Sequence, residues 1–414
     1  MKPKVAYIVS RYPHLPETFI LREMNELVEQ GFSVELFPLV MQRQSLVHPE
    51  AAHWLDELHH VRFFSWKCIR ANLRMMFRRP CRYCAIFFQM LWFNLSSVRF
   101  LLRALFIFPV AVEMAEEMQA LEIGHIHAHY ATHPALAAWI IWRFTGIPYS
   151  ISVHAHDIFV NRTMLKQKLD GAVFIRAISQ FNKAFLVHLY GAQVEQKIQV
   201  IHCGISTDRY THKQNPVSSD FQIINIGSLQ PYKGQAHLVE ACTMLKEQGF
   251  PFHCRIVGGG ELQSALAKQI EQLGLSACVE LVGPKTENEV TLLLAGSDCF
   301  VLPSVVTPSG KMEGIPVVLM EALASNIAVI ASDISGIPEL VRDQVSGLLV
   351  PPGDVDAIVR QIVWLQAHPK EAVKMAAAGR KLVESEFNIS INTLELANLF
   401  IQFQYKKKVT AGEK

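Results

Sequence analysis

The sequence predicts an α/β protein made of two Rossmann-like domains that face each other across a cleft. Three observations lead to this prediction: the chain has 414 residues, 50% of them are hydrophobic, and short apolar runs alternate with helical segments almost throughout. A chain of this length is too long for a single domain with one hydrophobic core. Strands that alternate with helices form parallel sheets with both faces covered, and such sheets bind ligands at the carboxyl ends of their strands.

The apolar runs fall into two series. The first extends from "KVAYIVS" (4–10) to "KIQVIHCG" (197–204), and the second from "FQIINIGSL" (221–229) to "IAVIAS" (327–332). The polar stretch between them is typical of a linker. We therefore divide the chain into an N-terminal domain (1–207), a linker (208–220), a C-terminal domain (221–388) and a final helix with a basic tail (389–414).

Composition excludes some classes of protein. Lys plus Arg (39) against Asp plus Glu (37) gives a net charge of only +2, which does not favour a nucleic-acid partner. The only close cysteine pair, Cys81 and Cys84, has no second pair at zinc-site spacing, so ordinary reduced thiols are expected. The N-terminus runs directly into a strand without a secretory signal, and we expect a cytoplasmic protein.

One segment, about 60–112, does not fit the alternation. From Leu58 to Val112 the chain has no acidic residue but nine Lys or Arg residues, interleaved with aromatic rings, and Arg99 and Arg103 interrupt its most apolar part. A membrane-spanning helix is therefore not expected. Basic and aromatic residues at helical spacing are typical of a helix that lies in a membrane surface. We expect an anionic membrane partner here, on the inner face of the cytoplasmic membrane; the alternative is a pair of helices with a solvated basic face.

Two glutamates flank a predicted helix start in "KMEGIPVVLMEALAS" (311–325). Pro316 suits the first position of a helix, so we expect the helix to begin at Ile315 or Pro316. Glu313 then lies in the loop before the helix, and Glu321 lies inside it. The free backbone N–H groups and the dipole of a helix start favour an anion. A diphosphate fits there, with the carboxylates placed to accept hydrogen bonds from sugar hydroxyls.

Two further segments of this domain are suited to phosphate binding. "NIGSLQPYKG" (225–234) places Lys233 at the start of a helix, and "VGGGEL" (257–262) is a glycine loop between a strand and a helix. Ser228 and Gly259 lie on these turns and are further candidate donor contacts. A glycine loop alone is a common pattern, so the prediction rests on the combination.

These motifs resemble those of the retaining glycosyltransferases of sequence family four, which have the GT-B fold. That family combines a Gly-rich turn, a Lys before Gly, and Glu–Gly–x–Pro followed by a second Glu; the segments here are "GSLQPYKG", "VGGGEL" and "EGIPVVLMEALA". The first half resembles the exopolysaccharide and colanic-acid branch through "SRYPHLPETFILREM", "HIHAHYATHP" and "ISVHAHDIF". The resemblance covers most of the chain and fails only near 60–110.

The resemblance implies a donor-binding site in the C-terminal domain. Lys233 would contact the diphosphate of a nucleotide-diphosphate-sugar, Glu321 would hold the ribose hydroxyls, and Glu313 would hold the donor sugar. The amides of Gly314 and Ile315 would cap the phosphates or the sugar. The resemblance also implies that Lys233 and the helix start take the place of a divalent metal, so no metal and no cofactor are expected.

On the acceptor side, the resemblance implies a role for His154 of "HAHD" near the reacting carbon, with Asp157 behind it. Glu17 and Thr18 of "PETF" lie on the first strand–helix loop, which would face the donor phosphates and the acceptor.

Two positions depart from the family pattern. Ser228 stands where many members have an Arg that pairs with the phosphates, so neutralisation would depend more on Lys233, with Lys311 or Arg11 as further candidates. Ser206 stands where many members have Asp.

The histidines of "HIHAHYATH" (125–133) suggest an alternative. His125, His127 and His129 alternate on one face of a strand, as metal ligands do. A binuclear hydrolase would want an Asp beside the next His, and residues 130–132 intervene instead. We therefore expect these histidines to line the rim of the cleft at the strand ends rather than to bind a metal.

The sequence thus predicts a retaining glycosyltransferase. It would move a sugar from a nucleotide-diphosphate donor to a lipid-linked saccharide acceptor in cell-surface polysaccharide synthesis. The alternatives are a GT-B sugar epimerase or phosphorylase, and a non-catalytic membrane-associated partner of a polysaccharide assembly complex.

Overall fold

The computed structural model describes residues 2–13, 18–42, 49–210 and 220–404, which fall into two compact units. The first comprises Met1–Ile178, Lys183–Ile201 and Thr393–Lys414, and the second comprises Ser179–Asn182 and His202–Asn392. Among the described residues, each unit has one six-stranded sheet of parallel strands, so the predicted α/β class with two parallel sheets is confirmed. Glu17, most of the predicted linker and the basic tail lie outside the described residues.

The first sheet has the strand order β2-β1-β3-β4-β5-β6. Its strands are β1 (Lys4–Val9), β2 (Ser33–Pro38), β3 (His125–His129), β4 (Tyr149–Val153), β5 (Phe174–Ala177) and β6 (Ile198–Val200). Every residue of β3, β4 and β5 is buried, as expected for strands whose two faces are both covered by other elements.

Ten helices among the described residues follow or connect these strands. They are α1 (Thr18–Glu29), α2 (Pro49–Glu57), α3 (Trp66–Arg78), α4 (Pro80–Asn94), α5 (Val98–Ala120), α6 (His133–Thr145), α7 (His156–Phe159), α8 (Leu165–Gly171), α9 (Gln180–Tyr190) and α10 (Ala192–Glu195).

The second sheet has the strand order β12-β11-β10-β7-β8-β9. Its strands are β7 (Phe221–Ile226), β8 (Phe252–Val257), β9 (Val279–Gly283), β10 (Cys299–Leu302), β11 (Ala328–Ser332) and β12 (Leu348–Val350). The first five correspond to predicted strands. The short β12 was not predicted, because three apolar residues between Gly347 and Pro351 are too few to show a pattern.

The helices of the second half complete the fold. They are α11 (Gln235–Glu247), α12 (Gln263–Gln272), α13 (Glu287–Ala295), α14 (Val317–Ala324), α15 (Ile337–Leu340), α16 (Val355–Ala367), α17 (Pro369–Glu386) and α18 (Ile389–Gln402). The end of α18 belongs to the first unit, where Phe400 packs against Tyr7 of β1 and His127 of β3.

Each sheet has one point where its strand order reverses. In the first sheet this point lies between β1 and β3, and in the second it lies between β7 and β10. The loops that follow the two strands diverge at such a point, which leaves a crevice where open α/β sheets bind their ligands. The loops after β7 and β10 carry Lys233 and Glu313, so the predicted donor residues lie at the reversal point of the second sheet.

The basic, aromatic segment near 60–112 forms α3, α4 and most of α5. α3 packs on α5, and α5 packs on α6 of the sheet domain. Two of its cations form ion pairs with the acidic end of α5: Lys67 with Glu117 at 2.7 Å, and Arg74 with Glu116 at 2.8 Å. Among the described residues, no helix is both long enough and apolar enough to cross a bilayer.

Candidate active site

The centre of the site in the second unit is an ion pair between Lys233 and Glu313. Lys233 Nζ lies 2.5 Å from Glu313 Oε1, and each residue is 8% exposed. Lys233 follows β7 and Glu313 follows β10, so the pair joins the two loops at the reversal point of the sheet. The structure therefore brings together two predicted donor residues that are 80 positions apart in the chain.

Local backbone geometry fixes the position of Lys233. Pro231–Lys233 form a short 3-10 turn, and Gly234 has a left-handed φ of +71°. A Cβ at position 234 would lie 1.8 Å from the carbonyl oxygen of Pro303, the residue that follows β10. Only glycine allows this approach, so the Lys–Gly order of the motif is a packing requirement.

The two glycine turns pack backbone against backbone. Gly258 has a φ of +141°, and a Cβ there would lie 1.9 Å from the carbonyl oxygen of Gly227. A Cβ on Gly260 would lie 2.5 Å from the carbonyl oxygen of Leu229. The turns after β7 and β8 therefore lie close together, and Ser228 and Gly259 both occupy them, as the sequence predicts.

The Glu313 carboxylate stabilises the charged form of Lys233. Burial alone would lower the pKa of Lys233, but the Glu313 carboxylate and Tyr232 outweigh it, so the net pKa lies above its ordinary value. Lys233 is therefore an ammonium ion at neutral pH. A buried ammonium whose partner is a single carboxylate can bind phosphate oxygens when a phosphate takes the place of that carboxylate.

The segment between Glu313 and α14 differs from the prediction by one or two residues. The helix begins at Val317, and Pro316 is its N-cap with extended backbone (ψ 123°). Ile315 precedes a proline, which disfavours helical backbone. Ser335 Oγ also donates to the carbonyl oxygens of Glu313 (2.7 Å) and Gly314 (3.0 Å), which holds this segment in a non-helical conformation. No described residue accepts a hydrogen bond from the N–H of Gly314 or Ile315.

Glu321 lies on the second turn of α14, as predicted, and is half-buried. Tyr210 Oη donates a hydrogen bond of 3.0 Å to Glu321 Oε1. Arg380 in turn donates to the carbonyl oxygen of Tyr210 at 3.2 Å. No motif indicates Tyr210, because it is too far from Glu321 in the chain to leave a local signal for the contact.

His154, Asp157 and Thr18, the predicted acceptor-side residues that the structure describes, lie in the first unit. His154 directly follows β4 and is buried against Tyr130 and Phe19, with ring centroids at 4.8 Å and 5.0 Å. Burial, with a contribution from the charge of His129, holds the pKa of His154 well below its usual range. Its imidazole is therefore neutral at physiological pH. Thr18 is the first residue of α1 and is half-buried.

Asp157 supports the loop that carries His154. Its carboxylate accepts hydrogen bonds from the backbone N–H groups of His154 (3.1 Å), Ala155 (2.8 Å) and Ala131 (2.9 Å). It is fully buried, so it fixes the loops after β3 and β4 to each other. Asp157 therefore lies behind His154, as expected from the sequence.

The alternating histidines do not line a rim, and that interpretation is wrong. His125, His127 and His129 are all fully buried in the first unit. His125 stacks on Phe174 at 5.6 Å, and His127 lies against Phe400 at 5.2 Å. The reason is that α18 returns to cover this face of the sheet, which the pattern of one strand does not show.

A different set, Glu23, His127 and His129, is close enough to hold a metal, with one ligand atom from each within 4.8 Å of the others. The carboxylate of Glu23, both ring nitrogens of His127 and Nε2 of His129 are already engaged. Glu23 forms an ion pair with Arg176 and accepts from Tyr7 (2.8 Å) and His129 (3.0 Å), and His127 bonds to serines of β4. A guanidinium beside the only carboxylate opposes a divalent cation, so this cluster does not fit a metal site.

Comparison with known families divides the chain into two matched regions. Residues 16–209 match the family described as "Glycosyltransferase Family 4", and residues 206–382 match "Glycosyl transferases group 1". The second match contains the Lys233–Glu313 pair and Glu321, and the first contains His154.

Three curated relatives show how far the similarity extends. The colanic acid biosynthesis glycosyltransferase WcaL of Escherichia coli is 29% identical over 96% of this chain and 99% of its own. The amylovoran biosynthesis glycosyltransferase AmsK of Erwinia amylovora is 38% identical over 49% of this chain and 50% of its own. A GDP-mannose-dependent monoacylated alpha-(1-6)-phosphatidylinositol monomannoside mannosyltransferase of Corynebacterium glutamicum is 31% identical over 69% of this chain and 78% of its own.

The fold has counterparts among solved structures. A glycosyltransferase from Rickettsia africae superposes with a TM-score of 0.73 over 97% of this chain and 98% of its own, at 17% identity. The HepE protein of Anabaena, solved with UDP, gives a TM-score of 0.72 over 96% and 100% of the two chains, at 16% identity. These similarities concern the fold, and they confirm the predicted GT-B architecture.

Proposed function

Because this chain belongs to the family 4 and group 1 glycosyltransferases, we propose that it is a retaining, metal-independent transferase that uses a nucleotide-diphosphate-sugar. Its acceptor is a lipid-linked saccharide in exopolysaccharide synthesis. The names of two relatives, which refer to colanic acid and amylovoran, support the polysaccharide assignment.

The observation that carries the donor assignment is the buried Lys233–Glu313 pair at the reversal point of the second sheet. A nucleotide-diphosphate-sugar presents anionic phosphates next to neutral hydroxyl groups. Lys233 suits the phosphates, and Glu313 suits the hydroxyls of the sugar. Glu321, on the second turn of α14, is suited to accept hydrogen bonds from the ribose hydroxyls. One ligand of this class thus satisfies all three side chains.

In the proposed reaction, the bond between the anomeric carbon and the diphosphate oxygen breaks, and a bond to the acceptor oxygen forms on the same face of the sugar. The Lys233 ammonium stabilises the charge that develops on the leaving diphosphate. The acceptor proton passes to the leaving phosphate oxygen. The neutral imidazole of His154 contributes a hydrogen bond to the sugar or the acceptor.

The acceptor assignment rests on the exposed surface of α3, α4 and α5. Trp66, Phe77 and Trp92 are 71–79% exposed on these helices, which is unusual for large aromatic residues. No described carboxylate lies within ion-pair distance of Arg70 or Arg78 on α3. Aromatic rings beside uncompensated cations suit an anionic leaflet, and a lipid-linked acceptor is found at such a surface.

A ligand screen tests the donor assignment. Thermal unfolding of the full chain is measured with UDP, GDP and ADP and with their sugar conjugates, since a ligand that binds only the folded state raises its stability in proportion to its affinity. We expect one nucleotide series to raise the melting temperature, and the matching sugar to be transferred to a lipid-linked acceptor in excess EDTA. Absence of stabilisation by every diphosphate would refute the donor class. Activity that is lost in EDTA and restored by Mg²⁺ would refute metal independence.

A vesicle experiment tests the membrane assignment. We expect co-sedimentation with vesicles of phosphatidylglycerol and phosphatidylethanolamine, partly reversed by high salt. Each basic residue near an anionic leaflet contributes about 1 kcal/mol, so Arg70→Gln/Arg78→Gln should weaken partitioning roughly 30-fold. The matched control, Lys268→Gln/Lys374→Gln, removes two exposed cations from α12 and α17 of the second unit and should change nothing. Equal binding of both double variants, or no binding at all, would contradict the assignment.

A further inference from the structure

The loop after β10 brings a second lysine back to the turn after β7. Lys311 Nζ donates to Gln230 Oε1 at 2.5 Å and lies 4.5 Å from the centre of the Tyr232 ring. Lys233 Nζ lies 5.4 Å from the same ring centre. Both ammonium groups are therefore arranged around one aromatic side chain, next to the glycine turns.

Hydrogen bonds within the loop hold Lys311 in this place. The N–H of Lys311 donates to Thr307 Oγ1 at 3.0 Å, and the Thr307 hydroxyl donates to the Lys311 carbonyl oxygen at 3.1 Å. The N–H of Thr307 donates to the same carbonyl oxygen at 2.9 Å. These three hydrogen bonds between Thr307 and Lys311 close the loop. They fix the backbone of Lys311 in position, in addition to the contacts of its side chain.

The charges around the ring are not balanced. Glu313 neutralises Lys233 at 2.5 Å, so this pair contributes little net charge. No carboxylate of the described residues lies within ion-pair distance of Lys311. Ser228, which interacts with Tyr232 on the same turn, is neutral. Lys311 therefore supplies the uncompensated positive charge beside the central pair.

We propose that Lys311 binds the donor diphosphate and provides the phosphate-neutralising charge that Ser228 cannot provide. This inference rests on the proposed function, since it concerns the same donor. Tyr232 acts as the support that holds the Lys311 ammonium through a cation–π contact. Lys233 then binds the phosphate oxygens from the β7 side, and Lys311 binds them from the β10 side.

The proposal predicts a dependence on the number of phosphates. A nucleoside diphosphate carries more negative charge than the monophosphate and has a second phosphoryl group to contact a second cation. Removal of Lys311 should therefore weaken the diphosphate more than the monophosphate. A residue that only stabilised the loop would weaken both ligands equally.

The experiment is calorimetric titration of the full chain with UDP, GDP and ADP, each against its monophosphate, using the nucleotide that binds native protein most tightly. We expect Lys311→Gln to weaken diphosphate binding about 10-fold or more and monophosphate binding by less. Lys311→Arg keeps the charge and should bind within about 3-fold of native protein. Lys268→Gln removes an exposed lysine from α12 and should leave both affinities unchanged. Circular dichroism melting verifies that each variant is folded.

The outcomes separate the two proposals. If native protein binds a nucleoside diphosphate and Lys311→Gln binds it equally well, the role of Lys311 is refuted while the donor assignment stands. Equal losses for the diphosphate and the monophosphate, or a loss that Lys311→Arg shares, also refute it, because the loop rather than the charge would then be responsible. If native protein binds none of the diphosphates, the proposed function itself fails.

Discussion

Replacing Lys233 by methionine separates the structural role of the central pair from its proposed catalytic role. Methionine has a similar length and no charge, so Lys233→Met leaves the buried Glu313 carboxylate without its cation. Lys233 Nζ and Glu313 Oε1 are 2.5 Å apart and both residues are 8% exposed, which leaves little room for water to take the place of the ammonium. The variant should therefore be both less stable and less active.

The magnitudes follow from this geometry. Removal of one partner from a buried ion pair costs about 3–5 kcal/mol. For a unit of this size that corresponds to a fall of roughly 6–20 °C in its melting temperature. The double variant Lys233→Met/Glu313→Gln has no charge to bury, so it should recover much of this loss. Its activity should stay low, since removal of a positioned charge at a developing anion costs about 10²- to 10³-fold in kcat.

The assay is a double-mutant cycle on native protein, the two single variants and the double variant. Each protein is measured by thermal melting and by initial rates of sugar transfer at saturating donor. The expected pattern is stability that recovers in the double variant together with activity that does not. A Lys233→Met variant with near-native kcat would refute the phosphate role. A double variant as unstable as Lys233→Met would refute mutual compensation of the two charges.

Two further predictions concern Glu321 of the proposed donor site and Lys168, which is buried on α8 of the first unit. Glu321→Ala should weaken nucleoside diphosphate binding by about 10-fold or more in calorimetry, because it removes a charged acceptor for ribose hydroxyls, while Tyr210→Phe should have a smaller effect. Lys168→Met should flatten the pH dependence of stability: burial, opposed in part by Asp157, lowers the pKa of Lys168 from 10.5 to about 7. Between these values only the unfolded chain binds the proton, so native stability should rise with pH by up to about 1.4 kcal/mol per unit relative to the variant, and parallel profiles in denaturant titrations would contradict this.

The strands could be predicted from the sequence, and the residues of the proposed donor site could be selected from it, because their signals are local. An apolar run between turn residues indicates a strand wherever the strand later packs. Lys233, Glu313 and Glu321 each belong to a short motif whose spacing is visible in the chain. The start of α14 was predicted one or two residues early, since the contribution of Ser335 to that segment comes from a distant loop.

Contacts between distant segments could not be predicted. Nothing near His127 indicates that Phe400 covers it, and nothing near Glu23 indicates that Arg176 neutralises it. A row of alternating histidines is therefore ambiguous between ligands, rim residues and core residues until the covering helix is known. Tyr210 and Glu321 present the same difficulty, because their contact depends on the return of α14 to the start of the second unit.

The two units bury their charges in different places, and this difference determines which of them can exchange partners with a ligand. In the first unit, His129 and Arg176 lie within strands, and Glu23 holds both of them under covering helices. In the second unit, Lys233 and Glu313 lie on loops beyond the strand ends, where ligands of α/β sheets bind. In the proposed function, a phosphate replaces Glu313 as the partner of Lys233, and a sugar hydroxyl replaces Lys233 as the hydrogen-bond partner of Glu313. In the proposed reaction each group gains a hydrogen-bond partner as it loses one, the ammonium a phosphate oxygen and the carboxylate a hydroxyl, which reduces the cost of separating a buried ion pair.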